Sequence, residues 1–149
     1  SPAPEFVLRD HRNRKFSSVR EFSGKSTIVI FYLGHGCLAC AEQLQKFIPE
    51  IEKFREAGFE IVAISSDDDE NLKQSIKYFD GKLTFTIVND PELNVFKQYR
   101  VHDDFEEQPL HGTFIIDGNG RVRWQDISYE PFMNPDFVLQ EAIRLRDIE

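Results

Sequence analysis

The 149-residue chain is acidic and has the size of one ordinary domain. Hydrophobic residues make up 40% of it, enough for one core, and 26 acidic against 18 basic residues give a formal net charge of −8 at pH 7. This charge disfavours an extended nucleic-acid surface, and no window approaches the roughly 18 consecutive apolar residues of a membrane-spanning helix. We therefore expect a single domain over residues 1–149, without a nucleic-acid partner or a membrane span.

The N-terminal segment predicts a hairpin. Its first residues, SPAPEF, include neither an initiator methionine nor an apolar signal core, so we expect an excerpt or a matured chain, and its localisation stays open. The basic cluster RDHRNRK, residues 9–15, lies in a turn-rich stretch. We interpret it as a solvated hairpin loop rather than as a docking site for an acidic partner.

Four apolar runs and one further stretch predict the main strands. The run IVIFYL, Ile28–Leu33, is β-branched, apolar and aromatic throughout, as in a strand that is buried on both faces. The runs FEIVAIS, TFTIV and TFIID predict strands at residues 59–65, 84–88 and 113–117. A GNG turn then leads into RVRWQDI, residues 121–127, so the last two strands are expected to form an antiparallel hairpin.

Two helices are predicted between the first three strands. From Ala39 to Ala57 apolar residues recur every three or four positions, and Gly58 ends this long helix. A second apolar stripe follows the stretch SSDDDE. Ser65 or Ser66 in that stretch is interpreted as the helix start, because the acids after it complement the helix dipole.

Two Pro-containing pairs predict the remaining helices. Asp90 followed by Pro91 is the N-cap and first-turn pair of a short helix through Tyr99, and Asn134 followed by Pro135 begins the last helix. Strands that alternate with helices and close in a hairpin predict an α/β sandwich with a mixed central sheet. The right-handed crossover rule favours helices on both faces of that sheet.

Both cysteines of the chain lie in the stretch FYLGHGCLACAEQLQKF, where the first buried strand meets the longest predicted helix. The N–H groups and the positive dipole end of a first helical turn stabilise a thiolate and lower a thiol pKa from about 8.5. Two intervening residues allow the Cys37 and Cys40 sulfurs to close a small ring. The glycines on both sides of His35 permit loop conformations that bulkier residues disfavour. The pattern therefore favours a redox-active pair.

Two other interpretations of the pair stay open. One is a pair of reduced, buried thiols. The other is a metal site, in which His35, Cys37, Cys40 and the distant His111 supply four ligands for zinc or copper. Structural zinc sites usually draw on a second local ligand pair, which this sequence lacks, so the redox interpretation is preferred.

Four stretches in chain order resemble the thioredoxin-like superfamily: IVIFYLGHGCLAC, FEIVAISSDDDENLKQ, VNDPELNVFKQYRV and PLHGTFIIDGNGRVRW. The nearest branches are the alkyl hydroperoxide reductase/thiol-specific antioxidant (peroxiredoxin) group and the ResA/TlpA-like thiol–disulfide oxidoreductases. The resemblance extends from APEFVLRD to the final helix. It implies a thioredoxin-like, three-layer α/β/α sandwich and an oxidoreductase activity.

The resemblance to peroxiredoxins aligns Cys40 with their peroxidatic cysteine. Their constellation also includes a Pro, a Thr and an Arg, and those positions hold Leu33, Cys37 and His111 here. The missing Thr hydroxyl and Arg guanidinium would orient a peroxide and stabilise the charge that develops on it. Their absence argues against fast peroxide reduction.

The resemblance to thioredoxin-like oxidoreductases implies other roles. It makes Cys37 the attacking thiolate and Cys40 the resolving one, and it aligns Gln43 with a buried glutamate and His111 with the cis-proline that faces the dithiol. His111 would then be a cation that favours the thiolate, or a proton acceptor for the buried sulfur. The alternative is an ordinary loop histidine that is hydrogen-bonded to nearby backbone.

Together these features predict a thiol–disulfide oxidoreductase with Cys37, Cys40 and His111 as catalytic residues and with no cofactor. Its expected partners are a protein thiol or disulfide and an external reductant. Within enzymes the alternative is a thiol peroxidase, in which a hydroperoxide oxidises Cys40 and Cys37 resolves it. A metal-binding or redox-sensing module is the non-enzymatic alternative. The loop EEQPL, residues 106–110, is expected to present the partner to the dithiol.

Overall fold

The computed structural model describes residues 1–10, 12–34, 36–79 and 84–148. The strands of this part of the chain are β1 (Val7–Asp10), β2 (Lys15–Ser17), β3 (Ser26–Tyr32), β4 (Phe59–Ser65), β5 (Thr86–Asn89), β6 (His102–Asp103), β7 (Gln108–Pro109), β8 (His111–Ile116) and β9 (Val122–Ser128). Its α-helices are α1 (Ser18–Phe22), α2 (Leu38–Phe47), α3 (Ile51–Glu56), α4 (Asp69–Phe79), α5 (Asn94–Gln98) and α6 (Pro135–Asp147). None of these helices is long and apolar enough to cross a membrane.

Seven of the strands form one mixed sheet in the order β2-β1-β5-β4-β3-β8-β9. The central strands β3, β4 and β5 are parallel, whereas β1, β2, β8 and β9 join them in antiparallel pairs. The predicted hairpin of the last two strands is confirmed, since Thr113 pairs with Asp126. The short strands β6 and β7 form a separate hairpin in the loop before β8. The mixed sheet with helices confirms the predicted fold class.

Side chains of β3 alternate between two cores, one on each face of the sheet. Ile28, Ile30 and Tyr32 point into a core that is completed by α2, α3, α4 and α6, which we call the site-side core. Val29 and Phe31 point into a second core, with residues of α1, α5 and β8, which we call the aromatic core. The strand is therefore buried on both faces, as the sequence predicts.

The predicted long helix over residues 39–57 is interrupted. It consists of α2, a 3-10 turn over Ile48–Glu50 that contains Pro49, and α3. The prediction of one continuous helix is wrong because Pro49 has no N–H group and its ring collides with the carbonyl four residues before it. The predicted apolar stripe is nevertheless buried on both sides of the break, and the chain leaves α3 through Gly58 at φ +91°.

The helix starts differ in two places from the prediction. The short helix α5 begins at Asn94, four residues after the predicted cap, because the chain first makes a turn in which Leu93 has φ +63°. Asp90 still caps the helix, since its carboxylate accepts the N–H groups of Val95 and Phe96 at 2.8 and 2.9 Å. Before α4, the residue that accepts a first-turn N–H is Asp68 rather than a serine.

The other terminal elements agree with the prediction. The Asn134 side chain accepts the N–H of Phe137 at 3.1 Å and so caps α6. The basic N-terminal cluster joins β1 to β2 as a hairpin, in which the Asp10 carboxylate accepts the N–H groups of Arg12 and Arg14. Residue 11 of that cluster lies outside the described residues.

Candidate active site

The loop between β3 and α2 places the cysteine pair beyond the end of β3, at the start of α2. Gly34 has φ +94°, and a Cβ atom there would collide with the Asp67 carboxylate, so the position requires glycine for both conformation and space. Gly36 has φ +85°. These values confirm that the glycines give the loop a conformation that other residues adopt rarely. His35 between them lies outside the described residues.

Cys37 and Cys40 form a disulfide across the first turn of α2. Cys37 is the N-cap of the helix: its Sγ accepts the N–H of Cys40 at 3.3 Å, and its own N–H donates to the Gly34 carbonyl at 3.1 Å. The predicted position of the pair at a helix start is therefore observed. A thiolate on Cys37 would receive a backbone N–H and lie at the positive end of the helix dipole.

The two sulfur-bearing residues differ in exposure. Cys40 is only 1% exposed and belongs to the site-side core, whereas Cys37 is half-buried and lies at its edge. Of the two, Cys37 is therefore the residue that an external thiol or disulfide can approach.

His111 lies beside the buried sulfur, although 71 residues separate it from Cys40 in the chain. It is the first residue of β8, and the antiparallel pairing of β8 with β3 brings it to the end of β3 that leads to the cysteines. Both of its ring nitrogens lie 3.9 Å from the Cys40 Sγ, and the residue is 5% exposed. The structure thus brings together the three residues that the sequence predicts to be catalytic.

Burial lowers the pKa of His111 below its usual value, and the negative charge of Glu130 opposes that shift only partly. The ring is therefore neutral at pH 7 while the disulfide is closed. A neutral imidazole can accept a proton, which favours the proton-acceptor role over the role of a permanent cation.

Three of the four residues of the hypothetical metal site lie close together in the structure. One ligand atom from each of Cys37, Cys40 and His111 lies within 4.8 Å of the other two. The two sulfurs are bonded to each other, so thiolate ligands would form only after reduction. The fourth residue of the predicted set, His35, lies outside the described residues.

Gln43 occupies the helix position that the resemblance aligns with a buried glutamate. It is 1% exposed, and its Nε2 donates to the Phe132 carbonyl at 3.1 Å. Its Oε1 has no hydrogen-bond partner among the described residues. Gln43 is thus a neutral buried side chain in the first turns of α2.

A cavity of about 480 Å³ opens beside Cys37, between α2 and α4. Tyr32, which sequence reasoning treated only as part of a buried strand, contributes to its lining together with Leu44 and Phe79. The signal that could have indicated Tyr32 is its place in β3: it follows Ile28 and Ile30 on the same face and carries a hydroxyl into an apolar core. The cavity itself had no sequence signal, because its walls come from separate helices.

The loop expected to present a partner forms the β6–β7 hairpin next to His111. Phe105 at its tip is 91% exposed, and the Asp103 carboxylate accepts the N–H groups of Phe105 and Glu106. The Tyr129 hydroxyl donates to the same carboxylate from the end of β9. Asp103 therefore fixes the turn of the hairpin, and its second strand, β7, leads directly into β8 and His111.

Comparisons with known proteins identify the family of this chain. The AhpC/TSA family matches residues 1–125. Peroxiredoxin Q, chloroplastic, from Sedum lineare is 34% identical over 146 residues, which are 97% of this chain and 75% of that protein. The peroxiredoxin Q of Oryza sativa subsp. japonica is 36% identical over 146 residues, which are 97% of this chain and 64% of that protein. The chain thus spans 64% to 75% of the length of these relatives.

Solved structures support the fold. The crystal structure of Enterococcus faecalis AhpC superposes with a TM-score of 0.89 at 16% identity and covers 99% of this chain and 92% of that one. Peroxidoxin BcpB from Mycobacterium tuberculosis gives 0.82 at 20% identity and covers 100% and 96%. The chain therefore belongs to the AhpC/TSA family and is an oxidoreductase built on a thioredoxin-like fold.

Proposed function

We propose that this protein is a dithiol oxidoreductase in which Cys37 exchanges with an external substrate and Cys40 resolves the intermediate. The observation that supports the assignment is the contrast in exposure within one disulfide: Cys37 is half-buried and Cys40 is 1% exposed. Thiol–disulfide exchange requires in-line access to the sulfur under attack, so the two sulfurs are not equivalent.

The first step joins the substrate to Cys37. The Cys37 thiolate attacks one sulfur of a substrate disulfide, a new sulfur–sulfur bond forms, and the other substrate sulfur leaves as a thiolate. The Cys40 N–H, which donates to Cys37 Sγ, stabilises the attacking thiolate.

The second step closes the observed disulfide. Cys40 gives up its thiol proton, its sulfur attacks Cys37 Sγ, and the remaining substrate sulfur leaves as a thiolate. The substrate has then taken up two electrons. His111 is the proposed proton acceptor, because its ring nitrogens lie 3.9 Å from the Cys40 Sγ and burial keeps the ring neutral. A reductant of the thiol class must then reopen the disulfide.

A second candidate is a thiol peroxidase, which the names of the relatives favour, since those at 34–36% identity are peroxiredoxins. A hydroperoxide would oxidise the Cys40 thiolate to a sulfenic acid and leave as an alcohol or water. Cys37 would then attack that sulfur, displace water and form the same disulfide. The 1% exposure of Cys40 restricts this route to small hydroperoxides or to an opened loop.

Rapid-mixing oxidation of the reduced protein distinguishes the candidates. Wild type, Cys37→Ser and Cys40→Ser are each mixed with hydrogen peroxide and, separately, with a model protein disulfide. For the first candidate, Cys40→Ser retains fast attack on the disulfide and accumulates a mixed disulfide on Cys37, whereas Cys37→Ser is slower by at least about a hundredfold.

The opposite pattern supports the peroxidase. Cys37→Ser would then react quickly with hydrogen peroxide and accumulate a sulfenic acid on Cys40, and the attacking sulfur would be misassigned in the first candidate. A reduced wild type that reacts slowly with both oxidants and binds one zinc ion per chain would contradict both candidates and support the metal-binding alternative.

A further inference from the structure

The cavity beside Cys37 is lined by that cysteine, whereas the described residues of its lining include neither Cys40 nor His111. Its lining includes Cys37, Ala41 and Leu44 from the α2 side and Ser75 and Phe79 from α4. Its volume of about 480 Å³ falls within the range of small-molecule sites. The structure therefore has a pre-formed, mainly apolar space next to the accessible member of the disulfide.

The redox state of this structure determines which reactant would use the cavity. The cysteines are joined, so the next partner in the cycle is the thiol that reduces them. That thiol must attack Cys37, because Cys40 is 1% exposed. The substituent on its sulfur then enters the space that adjoins Cys37, which is this cavity.

The buried hydroxyl of Tyr32 adds a polar requirement. Tyr32 is 1% exposed and lines the cavity, and its hydroxyl makes no hydrogen bond of 3.5 Å or less among the described residues, although the Ser65 side chain interacts with it. Burial, with the nearby Asp67 carboxylate, raises the pKa of Tyr32 far above the usual value, and the Ser65 side chain opposes this only partly, so the hydroxyl is a neutral donor and acceptor at pH 7. A buried hydroxyl without a partner is costly, and a ligand that supplies one recovers that cost.

We propose that the cavity binds the reducing substrate, and that this substrate is a low-molecular-weight thiol with an alkyl chain that ends in a polar group. The chain lies against Leu44 and Phe79, and the polar end hydrogen-bonds to the Tyr32 hydroxyl. This assignment rests on the proposed function, because it deepens the reductive half of the same cycle.

The reaction is an ordinary double exchange. The thiolate of the first thiol attacks Cys37 Sγ, the Cys37–Cys40 bond breaks, and Cys40 leaves as a thiolate that takes up a proton from water. A second thiol attacks the substrate sulfur of the mixed disulfide and releases Cys37. Two thiols thereby become one disulfide, and the protein gains the two electrons.

The test measures how fast the oxidised protein is reduced by 3-mercaptopropanol and by 6-mercaptohexanol. Both hydroxyls are far from sulfur, so the two thiols have similar acidity and differ by three methylenes. The rate constant for 6-mercaptohexanol is divided by the rate constant for 3-mercaptopropanol. This ratio is then divided by the same ratio measured for the reduction of 2-hydroxyethyl disulfide in solution, which gives the corrected ratio. We expect a corrected ratio of at least about ten, against about sixty for three fully buried methylenes.

Two variants locate the effect. Ala41→Phe fills the cavity and is expected to bring the corrected ratio to within about twofold of unity. Glu42→Phe adds the same ring at the exposed neighbouring position, outside the lining, and is expected to retain the wild-type ratio. Tyr32→Phe removes one hydroxyl and is expected to lower the ratio by about two- to tenfold, the equivalent of one hydrogen bond. Circular dichroism verifies that each variant is folded.

Three results would overturn the inference: a corrected wild-type ratio near one, a high ratio that persists in Ala41→Phe, or an equal loss in Glu42→Phe. Failure of the proposed function is separately visible, because the disulfide is formed here with diamide rather than with a substrate. A protein that attacks neither peroxide nor disulfide but shows the expected ratios would retain the cavity assignment and lose the proposed activity.

Discussion

The two cores on either side of the sheet are built differently, and two tyrosines show how. In the aromatic core, the Tyr99 hydroxyl donates to the Pro4 carbonyl at 2.8 Å. In the site-side core, the Tyr32 hydroxyl makes no hydrogen bond of 3.5 Å or less among the described residues, and Tyr32 lines a cavity. The same side chain thus has its polar group satisfied on one face and unsatisfied on the face that carries the cysteines.

Ring packing shows the same contrast. The Phe31 ring lies 5.0, 5.1 and 5.5 Å from the rings of Phe96, Tyr99 and Phe114. On the other face, Phe47 has one ring neighbour among the described residues, Phe54, at 6.0 Å. Each aromatic pair adds about 0.5–1.5 kcal/mol beyond area burial. We infer that the aromatic core supplies a disproportionate share of the stability, while the site-side core contains the cavity beside Cys37.

The strongest test of this contrast compares Phe31→Ala with Phe47→Ala, since both residues are 0% exposed. A buried Phe→Ala change costs about 3–5 kcal/mol. We expect the Phe31 variant at the upper end of this range or beyond, because it loses three ring contacts, and the Phe47 variant at the lower end. Urea unfolding of the oxidised proteins measures both values.

If Phe31→Ala does not fold, Phe31→Leu against Phe47→Leu tests the same contrast with smaller losses. Equal losses at the two positions would show that ring contacts add little here, and the division of roles between the two cores would then be wrong.

Reduction of the disulfide is the next largest expected change, and the bridge joins Cys40 of the site-side core to Cys37 at its edge. A bridge that closes a loop of four residues restricts the unfolded chain by about 2 kcal/mol in the chain-entropy relation. We therefore expect the reduced protein to unfold with a free energy about 2 kcal/mol lower than that of the oxidised protein. Guanidinium unfolding with and without reductant measures this difference.

The double variant Cys37→Ala/Cys40→Ala is the control, because its stability should not respond to the reductant. A reduced protein more stable than the oxidised one would reverse the sign. It would mean that thiolate stabilisation at the N-terminus of α2 outweighs the loop restriction, and that the pair is a strong oxidant.

Local patterns were enough to predict the sheet and the order of elements, because strand burial and helix periodicity are properties of short segments. They failed at Pro49 and after Asp90, where a single residue or turn overrides an otherwise regular apolar stripe. Proline was visible in the sequence at both places. The turn at Leu93 is closed locally, since the Leu93 N–H donates to the Asp90 carbonyl at 3.0 Å, but a leucine at φ +63° is a conformation that the sequence pattern does not indicate.

The site was predictable to the extent that its members were chemically distinctive. Two cysteines at a predicted helix start indicate a redox-active pair from the sequence alone. His111 was found through a resemblance that aligned it opposite the cysteines, and in the structure the β3–β8 pairing brings it there. Tyr32 and the cavity were not found, because their importance arises from the spacing between α2 and α4. Glu130 was also missed, since its effect on His111 depends on a loop that follows β9.

The buried histidine makes the stability of the oxidised protein depend on pH in a definite direction. Because burial lowers the pKa of His111 in the folded state, the unfolded chain binds a proton first as the pH falls below about 6.5. Stability is therefore complete above that value and declines as the pH falls towards the folded pKa, with a slope of at most about 1.4 kcal/mol per pH unit.

Unfolding of wild type and of His111→Asn between pH 7.5 and 5.0 isolates this contribution as the difference between the two curves. A difference that stays constant over the range would show that His111 titrates alike in both states. In that case, the ring would be more solvated than its 5% exposure implies, and its role as a neutral proton acceptor for Cys40 would lose its basis.

The smallest effect is expected at Gln43, where two opposing contributions nearly cancel. Its Nε2 makes one hydrogen bond, to the Phe132 carbonyl, while its buried Oε1 has no partner among the described residues. Gln43→Met removes the bond and the unsatisfied oxygen together while retaining the volume, so the free energy of unfolding should change by less than about 1 kcal/mol. Leu44→Ala, one residue later and 1% exposed, should cost about 2–5 kcal/mol in the same urea titration. If Gln43→Met costs as much as Leu44→Ala, the amide must be fully paired, and the site-side core would then be no less satisfied than the aromatic core.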